Sequence, residues 1–87
     1  MSSETQPAFG EHLHVQERMV VAPADGTFEP ELESGAIAKN QLIGYVYGPG
    51  FRQEILSPFD GEIIGLRAHH GERLRTGEPV AWLRTII

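Results

Sequence analysis

Eighty-seven residues, a net charge of −5 and the absence of cysteine bound what this chain can be. The length allows one domain with a modest core, and the lack of cysteine removes disulfides, thiolate metal sites and cysteine nucleophiles together. Seven scattered basic residues give no stripe to attract a phosphate backbone, and no apolar run approaches the ~20 residues that span a bilayer.

Residues 1–12 are polar and aperiodic and are expected to form a disordered tail. His12-Leu13-His14-Val15 alternates, so a strand is expected to begin near Leu13, and the domain is assigned to residues 13–87. From there glycine and proline recur at short intervals and leave no room for a stable isolated helix. The apolar runs between them are Met19–Val21, Leu42–Val46, Phe51–Leu56, Ile63–Leu66 and Val80–Leu83. Short strands with frequent turn signals predict an all-β sandwich or barrel.

An internal repeat sharpens this expectation. Ala22-Pro23-Ala24-Asp25-Gly26 matches Ser57-Pro58-Phe59-Asp60-Gly61 at an offset of 35 (Asp25 to Asp60). Ile37 to Val46 then matches Leu74 to Leu83 at an offset of 37 (Ile37 to Leu74). The second half thus carries two extra residues, expected near His69 and His70. Asn40 falls opposite Gly77, and these two residue types best tolerate a left-handed backbone. Each half is too small to bury its own apolar face. The prediction is two halves packed face to face around a shared core and a pseudo-two-fold axis. Asp25 and Asp60 are read as turn residues bonding their own backbone, not as a catalytic pair.

The doubled pattern resembles the biotinyl/lipoyl-like domain. Its pieces are Val20 to Gly26, Ser34 to Val46, Glu54 to Gly61 and Gly71 to Leu83, about three-quarters of the chain. The resemblance implies an all-β barrel-sandwich hybrid, a flattened β-barrel of two interlocked four-stranded halves related by the pseudo-two-fold axis. It also implies an exposed hairpin between the halves. In the family this hairpin presents one lysine, acylated by biotin or lipoate, five residues before the apolar residue of Glu-Ile-x-Ser-Pro. That residue is Ile55 here, so the attachment position is occupied by Gly50. The joint reads Tyr47-Gly48-Pro49-Gly50-Phe51-Arg52 and contains no lysine. Arg52 stays charged and is not acylated by this chemistry. The single lysine, Lys39, lies opposite Thr76 in a turn, away from the joint.

Gly48-Pro49-Gly50 is first of all a chain reversal. Tyr47, Phe51 and Arg52 beside it are residue types that dominate interface hot spots, and the hairpin Tyr47–Arg52 is the candidate interaction site. Histidines occur as His12/His14 and His69/His70. They lack cysteine partners, fall in different regions and are read as exposed loop pairs. Trp82, in the run Val80–Leu83, is read as a core or barrel-end residue.

No Ser-His-Asp arrangement or phosphate-cradling loop is present, and no enzymatic activity is expected. The expected function is a non-enzymatic interaction or scaffold module without attached cofactor. The resemblance implies, as partner, an acyl-CoA carboxylase-like or other carrier-using enzyme of a biotin- or lipoate-dependent complex. No nucleic-acid or membrane partner is expected. The N-terminal residues lack the basic and apolar regions of a secretory signal, and a cytoplasmic location is expected. The alternatives are a true carrier modified at Lys39 and a small metal-binding protein using the histidines.

Overall fold

A computed structural model describes residues 15–86. The tail assigned to residues 1–12, the strand start near Leu13 and the His12/His14 pair lie outside them. The described residues form eight strands and no helix. These are β1 (Val15–Val21), β2 (Gly26–Pro30), β3 (Gly35–Ile37), β4 (Leu42–Gly48), β5 (Phe51–Leu56), β6 (Gly61–Leu66), β7 (Arg73–Leu74) and β8 (Pro79–Ile86). They pair antiparallel in two four-stranded sheets, ordered β1-β8-β6-β3 and β5-β4-β2-β7. Among the described residues no strand bridges the sheets, so the architecture is a flattened sandwich that does not close into a barrel.

The repeat is the organising fact of this topology. Replacing β1, β2, β3 and β4 by β5, β6, β7 and β8, and the reverse, turns one sheet order into the other. Each sheet takes two strands from each half, so the halves interlock and neither is a sheet alone. The symmetry extends to defects. A bulge at Ile43 shifts the β4–β5 register between Leu42 and Gly44, and its mate at Val80 shifts β8 against β1. One bulge has no mate: β6 slips against β8 between Ile63 and Gly65, whereas β2 runs unbroken against β4. One of the two extra residues is therefore absorbed at Ile64, not near the histidines. The other falls between Ala68 and Glu72, as expected. There Arg67 and Ala68 still bond Val80 as Glu31 and Leu32 bond Ile43, and Phe28 N–H donates to Glu72 O.

The core obeys the same rule. Val20 and Ile55, Phe28 and Ile63, Ile37 and Leu74, Ile43 and Val80, and Val46 and Leu83 are all buried, and each pair is related by the repeat. Fully burying such a side chain contributes about 1.5–3 kcal/mol, and the shared core is what the small halves lack separately. Ser57 is the buried polar residue among them, in the place Ala22 takes in the first half. Its hydroxyl donates to Phe59 O at 2.6 Å, which removes most of the cost of burying it.

The two Asp-Gly pairs join the halves. Asp25 Oδ1 accepts from Thr76 N–H at 2.7 Å and from Thr76 Oγ1 at 2.8 Å. Asp60 Oδ1 accepts from Lys39 N–H at 2.7 Å. Each carboxylate therefore caps the turn of the opposite half, a correction to the expectation that they bond their own backbone. Around them Asn40 N–H donates to Ser57 O at 2.7 Å and Gly77 N–H to Ala22 O at 2.8 Å. Asn40 (φ 71°) and Gly77 (φ 90°) both take the left-handed conformation that the repeat predicts. The glycines after the aspartates serve a different need, since neither has a positive φ. A Cβ at Gly61 would stand 2.3 Å from Arg84 O, and one at Gly26 would stand 2.6 Å from Val46 Cγ1.

Gly61→Ala should thus lower stability by about 1–3 kcal/mol, the cost of overpacking against backbone. Gly65→Ala, where a Cβ meets nothing within 4 Å, should stay within about 0.5 kcal/mol. Chemical denaturation of the two variants checks the contrast, and equal losses would refute it. The Thr76 backbone N–H, then its hydroxyl, hold the Asp25 carboxyl below its ordinary value of 3.8. A depressed carboxyl contributes stability above its unfolded pKa and loses it as pH falls through the folded one. In an NMR titration Asp25 should titrate below 3.8, and Thr76→Val should raise its pKa part of the way back. An unmoved pKa would show that the hydroxyl contributes nothing.

Candidate functional site

The joint between the halves is the β4–β5 hairpin. Gly48 pairs with Phe51, so Pro49-Gly50 is a two-residue loop. Proline presets φ at the first loop position, and Gly50 at φ 81° takes the second, the signature of a type II turn. A Cβ at Gly50 would meet nothing within 4 Å. The expected attachment position is therefore at the tip of an exposed hairpin with open space around it. Its glycine answers a conformational need, not a steric one.

The pleat sorts the flanking side chains onto two faces. Ile55 is buried against the other sheet, and Phe51 and Gln53 share its face toward the open end. Phe51 lies against the hairpin itself, since a Cβ at Gly48 would stand 2.6 Å from its Cε1. Tyr47 and Arg52 are directly opposite each other on the outer face, with Tyr45 opposite Glu54 beyond them. The Arg52 guanidinium sits 4.1 Å from the centre of the Tyr45 ring. That stacking contributes about 0.5–1 kcal/mol at an exposed site and holds the fork flat on the sheet. Tyr47, Phe51 and Arg52, grouped as one tip by sequence, are thus split, with Phe51 on the inner side and the other two on the outer. Tyr45 belongs with them. Its distance from Arg52 in sequence gave no sign of this, but a cross-strand diagonal brings the two together.

Beneath the tip is an open cleft of about 250 Å³, lined by Asp25, Gly26, Tyr47, Gly48, Phe51 and Arg73 among others. Gly26 and Gly48 leave it open and Phe51 walls it. The pseudo-two-fold gives this cleft a mate at the end where β1 begins and β8 finishes. The mate, about 290 Å³, is lined by Asp60, Gly61, Glu62 and Arg84. The Tyr47–Arg52 pair corresponds there to Arg84 and Glu17, which form an exposed ion pair at 3.8 Å. The frame is symmetric and the chemistry is not. The hairpin end pairs tyrosine with arginine, and the corresponding position at the other end pairs two charges of opposite sign.

The remaining candidates lie elsewhere. Lys39 is exposed on the β3–β4 turn, fixed through its backbone by Asp60. His69 and His70 are exposed beside an open cleft lined also by Pro30, Glu33 and Leu66. Among the described residues no three His, Cys, Asp or Glu are grouped to hold a metal ion. Trp82 is half-buried on the outer face and is not part of the core, which removes the first of its two expected places, core or barrel end. The Val80 bulge shifts the alternation so that Ala81 and Leu83 are buried while Trp82, the mate of Tyr45, faces out.

No protein-family model matches the chain, and no curated protein is detectably similar to it in sequence.

Because Gly50 is left-handed but uncrowded, Gly50→Ala should cost about 1–2 kcal/mol through backbone strain alone. Gly50→Asn should cost less, as asparagine tolerates this region. Denaturation midpoints of the two variants test this, and a neutral Gly50→Ala would contradict the turn assignment.

Proposed function

We propose that this chain is a biotinyl/lipoyl-like module that carries no cofactor and acts without catalysis, by docking its hairpin on another protein. The observation that carries the reading is Gly50 at the tip of the hairpin joining two pseudo-symmetric halves. Two related halves joined by this hairpin fit a carrier-like frame, and the position that would bear the acylated lysine has no side chain. Carrier domains expose this joint so that the cofactor can enter other proteins. Loss of the lysine removes the cargo and leaves the exposure. A pre-ordered two-stranded tip loses little entropy on docking, so a small contact bearing Tyr47 and Phe51 is selective. The partner class is a biotin- or lipoate-dependent enzyme, such as an acyl-CoA carboxylase-like complex, in which this chain occupies a carrier dock. The absence of cysteine suits the reducing cytoplasm, where we place it. No helix among the described residues is long and apolar enough to cross a membrane.

Co-expression with a biotin or lipoyl ligase, followed by intact mass, should give the unmodified chain. An adduct on Lys39 in most molecules would overturn the reading in favour of a true carrier. For the docking half, Tyr47→Ala should weaken recovery of the partner enzyme from the native organism. The expected loss is at least about 1 kcal/mol, with the melting temperature essentially unchanged. Full recovery by the folded variant would move the contact to a sheet face.

A further inference from the structure

Open sheets have edges, and the described residues present four of them: β1 and β3 on one sheet, β5 and β7 on the other. An edge strand presents unpaired N–H and C=O groups that template pairing with another chain, and proteins blunt such edges by shortness, charge or bulges. β3 and β7 are blunted by length, at three and two residues. β1 and β5 are long, at seven and six. Their side chains decide whether each edge rejects or accepts a strand.

The register of β5 fixes which of its peptide groups face outward. A two-residue loop makes its closing pair, Gly48–Phe51, a hydrogen-bonded one. Alternation then makes Val46–Gln53 and Gly44–Ile55 hydrogen-bonded pairs as well. Arg52 and Glu54 sit in the intervening non-bonded pairs with Tyr47 and Tyr45, so their own N–H and C=O groups point away from β4. An antiparallel strand docking here must bring its own outward-facing residues opposite Arg52 and Glu54.

For a second copy of β5, three registers are centred within Arg52–Glu54, and centring on Phe51, Ile55 or Leu56 sets no arginine opposite a glutamate. One sets Arg52 against Arg52 and one sets Glu54 against Glu54, and like charges directly opposite are destabilising. The third places the two-fold axis at Gln53. Arg52 of each copy then lies opposite Glu54 of the other, on the same outer face, twice. Backbone bonds link Arg52 and Glu54 reciprocally, four in all. The two Gln53 amides face each other across the axis, and Phe51, left 41% exposed, comes beside Ile55 of the second copy. Stacking on Tyr45 already holds the Arg52 fork flat on this face.

The same test rejects β1. Its outward-facing residues, by the pseudo-two-fold, are Glu17 and Met19. Its self-registers set Glu17 against Glu17, or Arg18 against Arg18 with Glu17 facing Met19, or Met19 against Met19 without an ion pair. Glu17 is in any case engaged by Arg84 at 3.8 Å.

We propose that this protein forms a two-fold symmetric dimer through β5, joining two β5-β4-β2-β7 sheets into one eight-stranded sheet. The interface is isologous and closes, as symmetric strand addition requires. It is small, so association is expected in the range of about 10 µM to 1 mM, at the weak end for specific contacts. The exposed ion pairs set the register more than the affinity. The proposal does not depend on the carrier resemblance, on Gly50 or on the tip residue Tyr47.

Sedimentation velocity on the full chain between about 10 µM and 1 mM tests it, at low and moderate salt. The wild type should show a monomer–dimer equilibrium. Arg52→Glu alone faces two Glu–Glu contacts, and Glu54→Arg alone faces two Arg–Arg contacts. Each should weaken self-association at least tenfold. An equimolar mixture of the two variants restores both oppositely charged pairs and should recover association to within about threefold of the wild type. That recovery also shows that both variants are folded. Tyr47→Ala should dimerise normally. A wild type that remains monomeric at 1 mM overturns the proposal. So does a dimer indifferent to either reversal, a mixture that fails to recover, or growth to open-ended species, which would indicate head-to-tail joining of β1 to β5.

Discussion

Everything in this fold depends on a reciprocal exchange between its halves. Asp25 leaves the first half to cap the turn at Thr76, and Asp60 leaves the second to cap the turn at Lys39. Backbone bonds run beside each carboxylate in the same sense, from Gly77 to Ala22 and from Asn40 to Ser57. The sheets require this exchange. With two strands from each half in each sheet, neither half has a hydrogen-bonded partner for its edge, or a cover for Ile43 or Val80, until the other is in place. A four-stranded half alone would expose its whole apolar face. Folding is expected to be cooperative for that reason, with most contacts between residues distant in sequence.

That constraint explains what could be read in the sequence and what could not. The repeat was legible because Pro-x-Asp-Gly and the Asn40/Gly77 positions have residue types the backbone demands, and symmetry of the pairs implied symmetry of the sheets. The strands with apolar runs, β4, β5, β6 and β8, were legible by composition. The strands β2, β3 and β7 were not. β2 carries one large apolar residue, Phe28, and β3 and β7 are held in the sheet by their neighbours more than by their own propensity. The destinations of the Asp25 and Asp60 carboxylates were invisible as well. An aspartate before glycine is an ordinary local turn signal, and nothing nearby says that its acceptor oxygen serves a donor 51 residues away.

The candidate site was legible in position and illegible in grouping. The hairpin stands where the repeat put it, with Gly50 in the left-handed turn position. The faces of its flanking residues follow from the loop length, because two residues between Gly48 and Phe51 fix which pairs are bonded and therefore the sense of the pleat. A three-residue loop with the same residues would have turned Phe51 to the other side. The core reading of Trp82 failed for a related reason. A single bulged residue, Val80, reverses the alternation after it, and a run of four apolar residues gives no sign of which one is the extra.

Symmetry also supplies a control that most proteins lack. Where two sites share one backbone frame, side chains that match across the axis answer to the frame, and those that differ are released from it. Phe28 with Ile63 and Val46 with Leu83 belong to the first kind, as core residues. Tyr47 and Arg52 against Arg84 and Glu17 belong to the second, and so do the outer edges of β5 and β1. The frame tolerates an ion pair or an aromatic–arginine pair equally at that cross-strand position. Its demands therefore do not explain why the hairpin end carries Tyr47, a guanidinium laid on Tyr45 and a self-complementary Arg52–Glu54 edge, where the corresponding described residues are Arg84, Glu17 beside Trp82, and a Glu17–Met19 edge. The departures from symmetry converge on one hairpin, and a surface that the fold does not dictate is where a second molecule is the simplest cause.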